Sequence, residues 1–264
     1  MAPFVVGFDW VDSHTGWAYC CLSGPLFNQL CLGTVPWQEA PRLSLVLDAA
    51  RLVVDAPIGL AADENHACAS RDCDRGARCW LGPRSSPVFA PPVMPELDEW
   101  RRRRKVGEAQ RGGHCRGLLP MIHSAAELQV GQPMTLESHP EVVFSALAQQ
   151  RLPAEGKKTL FLGLLARASL LQQQGLALNL GVLTIPRIPS DNFLDAIAMA
   201  LVARAWNQCG PNLDVIRCAD GTPEHLGDQR THLIALPTPN AGRPEASMTA
   251  DELMHLAANF QLEA

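Results

Sequence analysis

Nowhere in the 264 residues does an apolar run reach the ~20 residues that a bilayer-spanning helix needs, which excludes a helical membrane anchor. Positive charge is also in short supply, with 22 Lys and Arg against 27 Asp and Glu and a formal net charge of -5. That balance excludes a protein that grips any duplex through a basic coat, while leaving room for a local basic stripe. There is no internal repeat and no low-complexity tract, so solenoid and disordered architectures are set aside. No basic leader with a cleavage site precedes the strand-like Phe4-Val5-Val6-Gly7-Phe8, and the expected location is cytoplasmic.

The nine cysteines lack regular spacing, and a chain of this length does not depend on disulfide staples. Free thiols in a reducing compartment are expected. Their one cluster is His66, Cys68, Cys73 and Cys79, with His114 and Cys115 further on; its cysteines are too widely and unevenly spaced for a structural zinc site, and ordinary buried thiols are the better reading.

What is present is ample material for a core, with 47% hydrophobic residues. Phe4 to Trp10, Gly16 to Leu22 and Leu26 to Gly33 read as strands of an antiparallel meander, separated by Asp12-Ser13-His14 and Ser23-Gly24-Pro25. A helical pattern at Leu43 to Ala50 then leads to Leu52-Val53-Val54-Asp55, an apolar run stopped by Pro57. A strand buried on both faces and reached through a helix is expected to run parallel to its neighbour.

Downstream, helices are expected at Arg71 to Leu81, Trp100 to Gln110, Leu118 to Gln129, Pro140 to Gln150, Lys158 to Gln174 and Asp191 to Asn207. Ser138 and Glu141 have capping-box spacing, and Ser190 is the expected cap of the late helix. Short strands are expected at Pro133 to Glu137, Leu213 to Cys218 and His232 to Leu236. Thr249 and Glu252 open a terminal helix whose Leu253, Leu256, Ala257 and Phe260 share a face, available to the domain or to a second subunit in a homo-oligomer. The organisation is thus an α/β domain over 1–237, with an Arg- and Pro-rich loop region inserted at 61–130, and a linker and amphipathic helix over 238–264.

The chemistry concentrates in carboxylates. Asp9 closes the first strand and Asp55 the strand after the first helix, so parallel pairing brings both to one sheet edge, where open α/β sheets place ligands. Asp191 and Asp195, four residues apart, share a face of the late helix, whose following Ala196-Ile197-Ala198-Met199-Ala200 is small enough to approach the sheet. Acids from separate elements suit Mg2+ or Mn2+, with substrate phosphate oxygens completing the shell. Any one of these acids could instead be a cap or turn acceptor, a reading that fits Asp195 least because it lies beyond the first turn on an apolar helix.

Arg71, Arg75 and Arg78 fall on one helical face, with Arg84, Ser85 and Ser86 following; they either clamp an anion or pair with Asp72 and Asp74. Arg101 to Lys105 points around a whole helix turn, so a solvated helix is favoured over a nucleic-acid contact. His139 beside Glu137 is a candidate proton shuttle, and Lys157 and Lys158 are candidate phosphate contacts or exposed helix-start residues.

Several motifs follow one another in the order seen in domain-of-unknown-function family 429, which the chain resembles from about Val5 to Leu236. They are Gly7-Phe8-Asp9 with Gly16-Trp17, Asp55-Ala56-Pro57-Ile58-Gly59-Leu60, Arg71-Asp72-Cys73-Asp74-Arg75-Gly76-Ala77-Arg78 and Ser85-Ser86-Pro87-Val88-Phe89-Ala90-Pro91, then Glu137-Ser138-His139-Pro140-Glu141, Lys157-Lys158-Thr159 and Asp191 to Ala196. The family is regarded as a group of predicted nucleases with a ribonuclease H-like fold, similar in its acid pattern to Holliday-junction resolvases. The resemblance implies a mixed sheet of three antiparallel strands followed by parallel ones, flanked by helices. It also implies Asp9, Asp55 and Asp195 as ligands of Mg2+ or Mn2+, Asp191 or Glu137 as accessory acid, and nucleic acid or a phosphate ester as partner. Two departures, Trp10-Val11-Asp12 after the first Asp and Leu119 to Met121 without the family's glutamine, bear on substrate contacts.

The function expected is a metal-dependent nuclease or phosphodiesterase. A non-catalytic binding module on the same fold is the alternative, as is a phosphotransferase of the sugar and acetate kinase class, against which stands the lack of a Gly-rich phosphate loop.

Overall fold

A computed structural model of the chain describes residues 3–43, 46, 48–60, 71–85, 87–88, 91–106, 118–132, 134–153, 156–178, 189–227, 233–238 and 242–260. The chain opens with β1 (Val5–Asp12), β2 (Gly16–Ser23) and β3 (Gln29–Val35), a meander whose register sets Asp9 opposite Ala18 and Cys20 opposite Leu32. Leu26 and its neighbours form the turn before β3 rather than part of the strand, since Gly24 adopts a positive φ and Phe27 N–H bonds back to its carbonyl. β4 (Arg51–Val54) pairs parallel with β1, and β5 (Thr135–Glu137) parallel with β4, giving a five-stranded sheet of order β3-β2-β1-β4-β5. This is the mixed sheet expected, antiparallel and then parallel, and it is compatible with a ribonuclease H-like fold. A small antiparallel sheet, β7-β6-β8, is built from β6 (Asp214–Ile216), β7 (Pro223–His225) and β8 (Ile234–Ala235).

Helices cover both faces of the main sheet. On one side lie α2 (Met94–Lys105) and α3 (Leu119–Gly131), whose Leu97, Trp100, Ile122 and Ala125 pack with Val6, Phe8, Leu52 and Val54. On the other lie α4 (Pro140–Ala148), α5 (Phe161–Gln173) and the long α6 (Ser190–Cys209), packed with Val5, Val53 and Leu136. β4 therefore contributes alternate side chains to two cores, which is why its run reads as continuously apolar. α1 (Asp72–Leu81) closes a third cluster against β6 and β8.

α6 lies directly on β1. A Cβ on Gly7 would sit 2.1 Å from Ala200 N and 2.4 Å from Ala196 O, so the strand and helix meet backbone to backbone and only glycine fits there. α7 (Ala250–Ala258) carries the expected capping box, Thr249 Oγ1 accepting from Glu252 N–H at 3.2 Å while Glu252 Oε2 accepts from Thr249 N–H at 2.7 Å. Its Leu253 and Ala257 are buried against the core that includes α5, so this apolar face is covered by the chain itself and is not left for a second subunit.

Other expectations shift at their ends. α2 starts at Met94 rather than Trp100, because Glu96 reaches back to accept from Val93 N–H at 3.1 Å. The cap of α4 is His139, whose Nδ1 accepts from Glu141 N–H at 3.2 Å, while Ser138 Oγ donates instead to Ala235 O at 2.7 Å. α6 is entered from Pro189, with Ser190 already in the first turn. The helix expected at Leu43 to Ala50 falls partly outside the described residues, as do His66, Cys68, His114, Cys115 and Ser86. No described helix is long and apolar enough to cross a membrane.

Candidate functional site

Three strands deliver acids to one edge. Phe8 pairs with Val54 and Val54 with Glu137, so Asp9 and Asp55 lie side by side one step beyond Glu137. Asp55 and Glu137 stand at the ends of β4 and β5, whereas Asp9 does not close β1, which runs on to Asp12 against β2. Asp55 N–H donates to Phe8 O at 2.9 Å and Ser138 N–H to Val54 O at 3.0 Å, extending the parallel ladder to this rim. Below the rim α6 presents Asp191, Asn192 and Asp195 from its first turns. A cavity of about 510 Å³ opens here, lined by Asp55, Glu137, Asp195, His139, Lys157 and Lys158 among others.

Asp9 is 2% exposed, and Asn192 Nδ2 donates to its Oδ2 at 2.6 Å and to Trp10 O at 3.1 Å, which fixes the carboxylate's orientation. Burial raises the pKa of Asp9 well above the usual carboxylate range; Asp195 and Asp55 push it further, and Lys158 and Asn192 pull it back. Asp195 is 0% exposed, and burial raises its pKa against the pull of Lys158 and Arg167. Lys158 Nζ lies 2.6 Å from Asp195 Oδ2 and 3.7 Å from Asp191 Oδ2. Burial works against this ammonium, but Asp195 and Asp9 outweigh it and hold the proton on.

The second oxygen, Asp195 Oδ1, is buried with no hydrogen-bond partner among the described residues, and Arg167 Nη1 stands 3.6 Å away. Arg167 is itself fully buried on α5, donates Nη2 to Glu141 Oε1 at 2.7 Å and stacks 4.5 Å over the Phe144 ring. Lys158, Asp195, Arg167 and Glu141, in that order, thus form one chain of alternating charge. Sequence reasoning missed Asn192 and Arg167. A signal for Arg167 exists, since it is the one charged residue in the apolar stretch of α5, as Asp195 is beyond the first turn of its own helix.

Glu137 does different work from that expected of it, and Arg71 takes the pairing alternative with Asp74, extended to Glu137, rather than that of an anion clamp. Arg71 Nη2 and Nη1 donate to Glu137 Oε1 at 2.5 Å and Oε2 at 2.7 Å, and its Nε and Nη2 donate to Asp74 at 3.0 and 2.7 Å. Nη1 also reaches Ile58 O at 3.0 Å, and Ile58 N–H donates to Glu137 Oε2 at 2.6 Å. Burial pushes Glu137 up to about 7 against the pull of Arg71. Both oxygens of Glu137 are engaged, so it is a structural partner of Arg71 rather than an accessory metal ligand.

The arginine helix is likewise turned to internal bonds. Arg75 pairs with Asp72 in solvent and Arg78 Nε donates to Val88 O at 2.9 Å; neither they nor Ser85 line the cavity, and the side chain of Arg84 is outside the described part. Among the described residues, the cations on the cavity wall that are not locked to Glu137 are Lys157 and Lys158. On α2, Arg101 pairs with Asp98, Arg102 and Arg103 with Glu99, and Arg104 lies 4.2 Å over Trp37, as a solvated helix with covering stems requires.

Among the described residues no three His, Cys, Asp or Glu side chains are gathered closely enough to hold one metal ion between them. The donor chemistry at Asp9 and Asp195 still fits a hard divalent cation. The charge of Asp195 helps raise the pKa of Asp9, one buried oxygen has no donor among the described residues, and Mg2+ is commonly held by one or two carboxylates with water and substrate oxygens supplying the rest.

The sheet order, the acids at its carboxyl rim and the acid-bearing helix define a mixed α/β domain compatible with a ribonuclease H-like fold, with a cavity at the strand ends. The chain belongs to the family described as protein of unknown function DUF429, whose model matches residues 7–215. No curated protein and no solved structure matches the chain.

Proposed function

We propose that the protein is a Mg2+- or Mn2+-dependent phosphodiester hydrolase acting at the rim of β1 and β4. The observation that carries the reading is that Asp9 on β1 and Asp195 on α6, both buried acids, flank the point where strand and helix touch backbone to backbone at Gly7 and Ala196, with Asp195 Oδ1 lacking a hydrogen-bond donor among the described residues. Asp9 and Asp195 would hold the ion, with Asp55 beside them. A bound ion would supply neutralising charge and an acidified water.

The chain's own residues supply the rest. Asn192 orients Asp9, and the buried Arg167 supplies a countercharge to both Asp195 and Glu141. Lys158 neutralises the acids in the metal-free protein and stands on the cavity wall within reach of a substrate's anionic oxygens. His139 lines the cavity with Nδ1 accepting the Glu141 N–H, so in the neutral ring the proton sits on Nε2, where it is available to a leaving oxygen.

The test is calorimetric Mn2+ titration together with hydrolysis of bis(nitrophenyl) phosphate, on the native chain and on Asp195→Asn. Metal binding and hydrolysis by the native chain, both lost in the variant, support the reading. A native chain that binds no Mn2+ and hydrolyses nothing sinks it and leaves the cavity to a non-catalytic binding module, the role favoured by a lysine already seated on Asp195.

A further inference from the structure

We infer that the cavity takes a single nucleotide, free or at a strand end, and not an internal stretch of duplex; this names the substrate class and rests on the hydrolase reading. The cavity holds about 510 Å³, within the range of pockets for small molecules and far short of a channel for a duplex whose major groove alone is about 12 Å wide. Its lining combines two kinds of side chain besides the acids and Arg71. Pro57, Pro87, Val88, Met121 and Ile234 offer an apolar surface suited to a flat base, while Lys157, Lys158 and Thr159 offer donors to a phosphate.

The outer surface argues the same way. A duplex is held by a stripe of cations that replace its counterions. The described arginines nearest to forming one, Arg101, Arg102 and Arg103, are each paired with Asp98 or Glu99, and Arg75 is paired with Asp72. The net charge of -5 adds a long-range penalty for polyanions that a mononucleotide, with few charges, largely escapes. Two of the chain's three lysines stand together at the cavity, on the turn before α5. Gly163 permits that turn to fold back, since a Cβ there would lie 2.1 Å from Lys157 O.

The experiment measures binding of thymidine monophosphate, a linear duplex in two lengths and a closed circular duplex to the Mn2+-loaded full chain, native and Lys157→Ala. Lys157 is exposed, and its substitution leaves the buried charge network intact. The expected result is saturable binding of thymidine monophosphate that weakens about tenfold in Lys157→Ala, as loss of one charge-assisted hydrogen bond requires. Linear duplex should bind in proportion to its ends, independent of length, and the closed circle should not compete. A closed circle that competes as well as the linear duplex, affinity that grows with length, or no binding of thymidine monophosphate overturns the inference. Hydrolysis of bis(nitrophenyl) phosphate, measured alongside, separates this from the hydrolase reading: nucleotide binding without hydrolysis removes the activity and keeps the pocket, whereas hydrolysis with circle binding does the reverse.

Discussion

Lys158 places its ammonium 2.6 Å from Asp195 Oδ2, on a carboxylate that a divalent ion would also claim. Lys158→Met should therefore raise Mn2+ affinity by about tenfold, roughly 1.4 kcal/mol, because the competing charge is gone. In the absence of metal the same change should lower stability by about 1–3 kcal/mol, since a buried carboxylate loses its donor. Titration calorimetry and thermal melts read the two effects. Weaker Mn2+ binding in the variant would mean that the lysine assists the ion instead of standing in for it.

Asp9 and Asp195 are expected to respond differently to loss of charge. Asp9→Asn keeps an acceptor for Asn192 and removes repulsion from Asp195 and Asp55, so the metal-free variant should be at least as stable as the parent. Asp195→Asn takes a countercharge from Lys158 and the buried Arg167, and should cost about 1–3 kcal/mol. Both should lose Mn2+ binding. Equal melting temperatures for the two variants would contradict this division.

The pH dependence follows from Asp9. Its folded pKa lies above the ordinary 3.8, so the native state keeps a proton that the unfolded chain releases. Stability from this group is fully present below that ordinary value and is lost as pH rises through the raised one. Mn2+ affinity should climb over the same interval, because the ion displaces the proton. Melts of the parent and of Asp9→Asn across acid to neutral pH should differ in slope, and parallel curves would show that Asp9 titrates as an ordinary acid.

Arg71 is bound by carboxylates on two sides, and Arg71→Met leaves Glu137 and Asp74 buried without their cation. A loss of about 3–5 kcal/mol is expected. Adding Glu137→Gln should recover part of it, since the amide carries no charge to strand. Loss of activity at unchanged stability would instead return Arg71 to the role of substrate clamp.

The contact of Gly7 with Ala196 and Ala200 allows no side chain. Gly7→Ala must separate β1 from α6, at a cost above the ~1–3 kcal/mol of ordinary overpacking because the obstacle is backbone. Little folded protein should be recovered, and a normally stable variant would disprove the backbone contact.

The parts of this architecture written in local patterns were legible in the sequence. β1, β2 and β4 are alternating or continuous apolar runs ended by turn-formers, and the position of Asp9 and Asp55 one step past paired residues follows from parallel register. Asp195 stood out because a charge on an apolar helix needs a partner. What escaped depends on partners distant in the chain. Arg71 looks like a surface anion clamp until Glu137, sixty-six residues on, folds over it. Ser138 has the spacing of a cap, yet its hydroxyl is drawn to Ala235 O on β8, leaving His139 to do the capping. Asn192 can be assigned only once α6 is laid across the end of β1.

That crossing also sets how the site can adapt. Gly7 lies two residues before Asp9 and meets α6 at Ala196, the residue after Asp195, so the two carboxylates are gauged by main-chain atoms in contact. A gauge of this kind does not stretch with side-chain rotamers or loop motion. Ligands of different size must then be accommodated by the rest of the cavity lining, such as the Lys157 to Thr159 turn and the lining prolines. Changes of specificity should accumulate there, while the spacing of the acids stays fixed wherever a glycine holds the place of Gly7.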